Sequence, residues 1–565
     1  MEFIKRSLIV SLFLSTTFAI IGASAKPTPE APVAPSRTDA PENRLIVEEK
    51  ATAAIPRGDR NFVYCIEANP TTFSPQVAYD TSTFTVVRGI FNRLVDFEQG
   101  STKVIPSIAK SWSMSGDGRA ITFTLRKDVF FHSTGDFSPT RPLNADDVIY
   151  TFERMRNQAH PLHKLGGGNY QYYQALEMDK IIKNIVKVDT YKVKFVLDRP
   201  EASILANLGM DFASIISQEY AEHLLKQKKI ANFDIHPVGS GPFIFSGFEK
   251  NKFVELKRNN RYFLGPAKVA NLKILIFTDA VERAKNLVSG ACHLIANPRY
   301  EDIKDLRENP ALKVVNQPGL NIFYIAFNVN REPFNKLEVR QAVNHALNKL
   351  RYIKDGFQGF AQVAKNPIPP NMWGFNKSIV DFDYNPTKAK ELLKKAGYAK
   401  GFTTTYNYMS ESRPYNPNGL KVAELMVQDL AKVGIQVKLV TYPWQEYLQK
   451  AQKRDFDMLQ MGWTGDNGDP DNFLNVLLSC AGVDGGTNYS GWCDKRFSFL
   501  IGRARVTTNI VQRTRFYEEA QVLFRAQSPW SPIAHTTVFR AMKKNVVGYR
   551  MSPFGVDTFY TVDLK

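Results

Sequence analysis

Alternating apolar and polar positions predict strands in the first third of the chain. The predicted strands there cover residues 61–66, 121–125, 185–188 and 192–197, and the last two form a hairpin that turns at residues 189–190. A helical segment is predicted through residues 86–91. A second helix begins after Asn144, because this side chain can cap the first turn and two aspartates follow it there.

The second half of the chain combines buried strands with amphipathic helices. Residues 321–327 predict a buried strand, and apolar positions at helical spacing from Val339 to Ile353 predict one helix after it. Further predicted elements are helices at residues 385–397 and 418–433 and a strand at 435–440. This order predicts an α/β fold of mixed sheets flanked by helices.

A strand-like run at residues 457–460 leads into residues 461–473, which hold three glycines, one proline and three aspartates. This composition predicts a loop. Within it, Trp463 offers a flat apolar wall and Asp466 a negative charge, which together suit a small cationic group. A solvated acidic turn is the alternative interpretation.

At 565 residues, the chain has room for two to four domains, and 44% hydrophobic with 23% charged residues is typical of a soluble globular protein. Lys5 and Arg6 precede an apolar run at residues 8–21, and an Ala-Ser-Ala cleavage site follows. Residues 1–25 are therefore predicted to be a secretory signal peptide, with no cysteine after it for a lipid anchor. Residues 26–58, rich in proline and alanine, are predicted to be a disordered leader.

The formal net charge is +18, and lysine and arginine are spread over the whole length. Export and the absence of basic clusters make nucleic acid an unexpected partner. The charge instead indicates a solvated surface, with anionic partners or an anionic membrane face as the functional alternative.

Four cysteines in an exported chain indicate two disulfides. Cys480 and Cys493 are 13 positions apart and flank a loop rich in glycine and asparagine, so we pair them. That leaves Cys65 with Cys292. Four free thiols or a metal site are the alternative, but the CxxC spacing of such sites is missing.

Recognisable catalytic chemistry is missing from the sequence: it contains no P-loop, HExxH or GxSxG motif. His160 and His163 are the closest histidine pair, in a polar loop that could hold a metal. A calcium loop starting at Asp466 would need Gly and Glu where Asp471 and Leu477 stand. We therefore predict no catalytic residue, no metal and no cofactor, and a binding protein rather than an enzyme.

Residues 462–473 (GWTGDNGDPDNF) closely resemble a run in the family 5 extracellular solute-binding proteins of ABC peptide importers. Other resembling runs are at residues 63–65, 137–148, 237–242, 365–374 and 413–418. The resemblance covers nearly the whole chain after the leader and is more specific for the family than for the ligand.

The resemblance implies a two-lobed periplasmic-binding-protein fold of type II-like topology with an extra inserted domain. Lobe I would comprise residues 59–92, 234–319 and 537–565, the inserted domain II residues 93–233, and lobe III residues 320–536. A ligand would lie between the lobes and be enclosed by hinge closure. The two disulfide pairs drawn from spacing also match those of the family.

In members that bind dipeptides, an aspartate in the WTGD run holds the ligand α-amine and an arginine in the RPY run holds its α-carboxylate. These positions are Asp466 and Arg413 here. An arginine can bind a carboxylate with two parallel hydrogen bonds, which a lysine cannot. Pro414 and Tyr415 accompany the arginine, and Tyr415 would form a wall of the site.

The backbone of Trp463, Thr464 and Gly465 would pair with the ligand main chain, as in strand addition. One position departs from the family pattern. Tyr79 stands near the front of the site, where dipeptide-binding members have a small hydroxyl residue, and its ring would narrow or reshape the pocket.

These observations predict a monomeric periplasmic receptor of a Gram-negative bacterium that captures di- and short peptides and delivers them to an inner-membrane ABC permease. A haem receptor on the same scaffold is the alternative within the class, since Tyr79 or a histidine beside the cleft could contact haem. From another class, a secreted peptide hydrolase or a chaperone-like interaction protein is the alternative.

Overall fold

A computed structural model describes residues 60–565 of the chain. The predicted signal peptide, the predicted leader and residue 59 lie outside the described residues. Among the described residues, no helix combines the length and the apolar character that crossing a membrane requires.

The described residues alternate between strands and helices over their whole length. The strands are β1 (Asn61–Ile66), β2 (Val95–Phe97), β3 (Val104–Pro106), β4 (Ala109–Met114), β5 (Ala120–Leu125), β6 (Ile182–Asp189), β7 (Lys192–Leu197), β8 (Phe243–Glu249), β9 (Phe253–Arg258), β10 (Asn271–Ile276), β11 (Leu294–Ala296), β12 (Leu312–Pro318), β13 (Asn321–Phe327), β14 (Ala361–Val363), β15 (Phe402–Asn407), β16 (Ile435–Val440), β17 (Met458–Thr464), β18 (Trp530–Lys543), β19 (Val546–Val547) and β20 (Asp563–Leu564). The α-helices are α1 (Thr81–Ile90), α2 (Ala145–Arg156), α3 (Gln171–Ala175), α4 (Met178–Ile181), α5 (Ile204–Leu208), α6 (Gln218–Lys226), α7 (Ala280–Ser289), α8 (Ile303–Glu308), α9 (Leu337–Ala346), α10 (Lys349–Arg351), α11 (Pro386–Lys395), α12 (Gly419–Ala431), α13 (Trp444–Lys453), α14 (Asp471–Leu478), α15 (Cys480–Asp484), α16 (Lys495–Val506) and α17 (Ile510–Gln527).

A twelve-stranded mixed sheet forms the main framework of the described residues. Its strands follow the order β16-β15-β17-β13-β18-β11-β1-β10-β9-β8, and β12 and β14 also pair with β18. The first part of β18 pairs with β13, and its last part, from Thr537 onward, pairs with β12 and β11. One long strand therefore belongs to both halves of the sheet.

A separate antiparallel sheet has the order β4-β5-β7-β6 and falls wholly within residues 93–233, the segment predicted to be the inserted domain. Alternate residues of β5 and β7 are buried, among them Phe123 and Phe195, whose rings meet edge to face 5.6 Å apart. Mixed sheets flanked by helices confirm the predicted α/β class, while the domain boundaries themselves stay a prediction.

Local sequence signals fix several helix ends as predicted. The Asn144 side chain accepts from the Asp146 amide, and Asp147 accepts from the Asn144 amide in return, so α2 begins with a capping box. Pro386 opens α11 after its cap Asn385. Gly397 follows that helix with a φ of +89°, a conformation that glycine adopts without steric cost.

The predicted single helix from Val339 to Ile353 is wrong. Helix α9 ends at Ala346, α10 is a short separate turn, and residues Tyr352–Gly356 form a π-helical turn. The Asn348 side chain accepts from the Arg351 amide and starts a new turn instead of continuing the old one. As a result Leu350, which the periodicity assigned to the core, is 75% exposed.

The predicted loop at residues 461–473 is also too long. Strand β17 continues to Thr464 because residues 461–464 pair with β13, and α14 begins at Asp471. Gly462 does not end the strand. It lies where the ring of Tyr415 approaches the backbone closely. The loop proper is residues 465–470, which we call the ligand loop.

Both predicted disulfides are confirmed. Cys65 and Cys292 join β1 to the chain just before β11, with their Cα atoms 6.0 Å apart. Cys480 and Cys493 close the loop after α14, with a Cα separation of 4.6 Å. The described residues contain no free cysteine.

Candidate functional site

A cavity opens where β17 ends, and six segments of the chain line it. Seven of the eight residues predicted to bind a ligand are in the lining: Tyr79, Arg413, Pro414, Tyr415, Trp463, Thr464 and Asp466. The eighth, Gly465, is not, because its amide donates to the Leu320 carbonyl and faces the neighbouring strand. The structure thus brings together residues that are more than 380 positions apart in sequence.

Asp466 is held in the ligand loop by Asn472, the second residue of α14. The Asn472 side-chain oxygen accepts from the Asp466 amide at 2.9 Å and from the indole of Trp463 at 3.0 Å. Its amide group donates to Asp466 Oδ2 at 3.2 Å. From the opposite wall, the Tyr172 hydroxyl donates to Asp466 Oδ1 at 3.1 Å. One asparagine and one tyrosine therefore fix the carboxylate.

Half-buried Asp466 forms no ion pair with any Lys, Arg or His among residues 60–565. Burial raises the pKa of its carboxyl to about 7, and the hydrogen bonds from Asn472 and Tyr172 only partly oppose this. Arg88 lowers the pKa of Asp466 slightly, but this arginine already pairs with Asp211 at 2.8 Å. A cation entering the cavity would meet an uncompensated carboxylate.

Arg413 is the opposite pole of the cavity. Its backbone pairs in both directions with Asn416, which makes a tight turn after β15. The guanidinium lies over the ring of Trp444, 3.8 Å from its centre, and its buried Nε has no hydrogen-bond partner. No carboxylate among the described residues pairs with it. A buried guanidinium without a counter-ion is suited to an anionic group from outside the chain.

The Tyr415 ring packs closely against β17 at Gly462. A Cβ atom built on Gly462 would lie 2.2 Å from the Tyr415 ring and 2.6 Å from the Ile322 carbonyl, so only glycine fits there. Burial raises the pKa of the Tyr415 hydroxyl to about 12, so the phenol stays neutral. This close contact sets the position of the wall next to Arg413.

One edge of β17 is open toward the cavity. Strand β15 pairs with β17 only at Met458 and Leu459, whereas β13 follows β17 as far as Thr464 on its other side. Beyond Leu459, no strand of the described chain covers this edge. The unpaired backbone groups of this edge are available for hydrogen bonds, and their pairing with a ligand main chain stays a prediction.

Tyr79 reaches the cavity from the turn that precedes α1. The neighbouring Asp80 caps that helix, accepting from the Thr83 amide and from the Thr71 hydroxyl, each at 2.8 Å. The Tyr79 hydroxyl has no hydrogen-bond partner among the described residues. Burial and Asp80 raise its pKa, so it remains a neutral donor on the side of the cavity near Arg413.

The sequence reasoning missed most of the remaining wall, which consists of Asp80, Thr81, Phe84, Gln171, Tyr172, Trp444, Leu448, Gln452, Met461, Gly462, Thr487 and Tyr489. Two signals could have revealed part of it. Trp444, Leu448 and Gln452 are spaced by four on α13, and Tyr489 lies inside the disulfide loop. Nothing local indicates Tyr172, because its contact with Asp466 spans 294 positions.

Behind the ligand loop lies a cluster of buried charges. Arg513 pairs with Asp469 at 2.9 Å, and Arg505 lies 3.7 Å from Asp471. Burial raises the pKa of Asp471 to about 7, which the arginines only partly offset. The loop that carries Asp466 is therefore held from its rear by two arginines that do not line the cavity.

Metal chemistry gains no support from the geometry. No group of three or more His, Cys, Asp or Glu side chains within residues 60–565 is arranged to hold an ion. The His160 ring packs edge to face against Tyr150, and His163 contacts the Arg154 carbonyl at 2.8 Å. Both rings thus contact neighbouring groups of the protein.

Comparisons with known proteins agree with this geometry. A family model described as bacterial extracellular solute-binding proteins, family 5 Middle, matches residues 103–485. The di/tripeptide-binding protein 1 of Pseudomonas aeruginosa is 45% identical over 515 residues, covering 91% of this chain and 96% of that protein. Haem-binding protein A of Haemophilus influenzae is 40% identical over 514 residues, covering 91% and 94%.

Among solved structures, the dipeptide-binding protein of Pseudoalteromonas sp. SM9913 in complex with Met-Leu is similar, with a TM-score of 0.86 and 37% sequence identity. The match covers 90% of this chain and all of that one. The likeness therefore extends over the whole framework and is not confined to the ligand loop.

Proposed function

The chain belongs to the bacterial extracellular solute-binding proteins of family 5, and from this premise we propose that it captures dipeptides and other short peptides. It would hold them in the cavity between Asp466 and Arg413 and deliver them to an ABC permease of the inner membrane. The organisms of its relatives support a periplasmic location in a Gram-negative bacterium. The receptor would act as a monomer.

The observation that carries this proposal is the pair of unmatched charges in one cavity. Asp466 and Arg413 each lack an ionic partner among residues 60–565, and both face the same space. A zwitterionic peptide supplies an ammonium for the first and a carboxylate for the second. Their fixed separation would favour short peptides, since only some chain lengths let both ends reach their partners.

The walls support broad acceptance of side chains. Rings and aliphatic groups such as Trp444, Leu448 and Tyr489 surround the space between the two poles, with Thr487 and Gln452 as polar members. Recognition of the ligand would thus rest on its termini and on backbone pairing with β17, which every peptide offers.

We further propose that the protein returns its ligand unchanged. The cavity lining contains no serine, cysteine or histidine that could act as nucleophile or base in peptide hydrolysis. Mass spectrometry of a peptide incubated with the protein and released by denaturation tests this. Recovery of cleaved products would support a hydrolase instead.

Isothermal titration with Met-Leu tests the peptide assignment. Replacing Asp466 with Asn, or Arg413 with Gln, leaves a buried ligand charge unpaired and should cost about 2–5 kcal/mol of binding. Asp455→Asn and Arg503→Gln are matched controls, because both residues are exposed and neither lines the cavity. Wild-type affinity in Asp466→Asn, or no binding of any short peptide to the wild type, would contradict the proposal.

Haem is a second candidate ligand, favoured by the unpartnered Tyr79 hydroxyl at the cavity and by the haem-binding relative. Titration with haemin would then give a shifted Soret band that Tyr79→Phe abolishes and Asp466→Ala leaves intact. We expect no such band, and expect peptides rather than a tetrapyrrole to co-purify with the protein.

A further inference from the structure

Arg505, on α16, lies outside the cavity and is 3% exposed. Its guanidinium pairs with Glu177, with Glu201 at 3.0 Å and with the Leu176 carbonyl at 3.1 Å. Its own backbone carbonyl accepts from the Ala202 amide at 2.7 Å. One residue is thus bonded at four points to a single segment, residues 176–202.

This segment belongs to the wall that faces the ligand loop. It follows directly on α3, which carries Tyr172 and Gln171 into the cavity, and it includes β6 and β7 of the four-stranded sheet. Arg505 instead packs with the elements that follow β17, since its side chain approaches Asp471 at the start of α14. Its ion pairs therefore join opposite walls of the cavity.

We propose that Arg505 is a positioning residue that fastens the ligand loop to the opposite wall and so slows release of a bound ligand without touching it. The inference rests on the proposed binding function for its kinetic part. Opening the cavity requires the Arg505 contacts with Glu177 and Glu201 to separate, and each leaves a poorly hydrated charge behind as it does so.

The contacts of Arg505 support a role in holding the two walls together rather than a role confined to its own helix. Its side chain contacts carboxylates of both walls: Glu177 and Glu201 on the facing segment and, at 3.7 Å, Asp471 at the start of α14. Arg513, which pairs with Asp469 in the same part of the structure, adds no contact to the facing segment. Of these two arginines, only Arg505 forms ion pairs with the facing segment, and these ion pairs add to the Tyr172–Asp466 and Asn467–Asn207 hydrogen bonds of the ligand loop.

Glu177→Gln is the gentlest test. Glu177 is half-buried at the edge of the cluster, and its replacement removes the charge that pairs with Arg505 and, within its own segment, with Lys180 and Arg199. Glu153→Gln is the matched control, because Glu153 pairs only with Arg156 on its own helix. Melting curves should show that Glu177→Gln and Glu153→Gln are folded. Arg505→Lys is a second test variant, which keeps the charge but loses the planar guanidinium.

Stopped-flow release of Met-Leu should be about tenfold faster in Glu177→Gln and Arg505→Lys, with the association rate nearly unchanged. Small-angle scattering of the ligand-free proteins should give a larger radius of gyration for these two variants than for the wild type and Glu153→Gln. The scattering needs no ligand, so it separates failure of this inference from failure of the peptide assignment.

Wild-type release rates and a wild-type radius in Glu177→Gln would overturn the inference. Slower association together with faster release, by similar factors and with an unchanged radius of gyration, would also overturn it. A general loss of structure in the binding site would change both rates in that way. A change in the pH dependence of binding is not expected, because Arg505 does not contact Asp466.

Discussion

Replacing Gly462 with alanine tests how tightly the cavity wall is built. The added methyl group would lie 2.2 Å from Tyr415 Cδ2 and 2.4 Å from its Cγ, with the Ile322 carbonyl 2.6 Å away on the paired strand. The carbonyl is held in the β13–β17 ladder, so the tyrosine ring has to move. Because β17 lies behind the ring and the cavity in front of it, we expect the ring to move toward the cavity.

The magnitude follows from two opposing effects. Overpacking of this kind costs about 1–3 kcal/mol, while replacing a glycine within a strand recovers about 0.5–1 kcal/mol. We expect a net loss of about 1–2 kcal/mol in the free energy of unfolding. A ligand must push the displaced ring back, so binding of Met-Leu should weaken by a similar free energy, roughly tenfold.

Gly502→Ala is the control for the same chemical change. Gly502 lies within α16 and has no atom within 4 Å of a built Cβ, so alanine there should stabilise the protein by about 1 kcal/mol. Thermal unfolding and titration calorimetry on both variants decide the matter. A melting temperature of Gly462→Ala equal to that of Gly502→Ala, or unchanged peptide affinity in Gly462→Ala, would refute the argument that Tyr415 packs tightly against β17.

Three further predictions concern the poles and the loops. Burial raises the pKa of Asp466 to about 7, and a ligand ammonium binds the ionised carboxylate. Peptide affinity should therefore fall about tenfold per pH unit below 7. Constant affinity in calorimetry at pH 7, 6 and 5 would contradict this. Asn472→Ala removes three hydrogen bonds, two with Asp466 and one with Trp463, and should weaken binding at least tenfold. Because the hydrogen bond from Asn472 lowers the pKa of Asp466, the loss of affinity should begin at a higher pH in this variant in the same pH series. Replacing Cys480 and Cys493 together with serine frees the loop that carries Tyr489 and should lower stability by about 2–4 kcal/mol, measured by thermal unfolding with and without peptide.

Local signals in the sequence predicted much of the fold. The capping box of α2, the Pro386 start of α11 and the buried run of β13 are each decided by neighbouring residues, so the sequence alone is sufficient. The break after Ala346 was missed because the apolar spacing continues through it, and a side-chain cap at Asn348 overrides that spacing. Periodicity cannot register a competing hydrogen bond of this kind.

The residues of the site also divide into those that local sequence signals predict and those that they do not. Asp466 and Arg413 could be predicted because each lies in a distinctive short run. Tyr172 and Arg505 could not, since their roles depend on contacts between segments that are about 300 positions apart. The sequence also predicted too long a ligand loop. Gly462 suggested a turn, but it lies within β17, where only glycine leaves room for the ring of Tyr415.

Strand β18 has a consequence for how the chain acquires its structure during synthesis. It supplies the pairing partner of β13 in one half of the large sheet and of β11 and β12 in the other, yet it begins only at Trp530. A ribosome has therefore made every other strand of this sheet before either half can be completed. Until this late strand is made, β13 on one side and β11 and β12 on the other each lack a pairing partner, so the two halves of the sheet complete their pairing in the same late step.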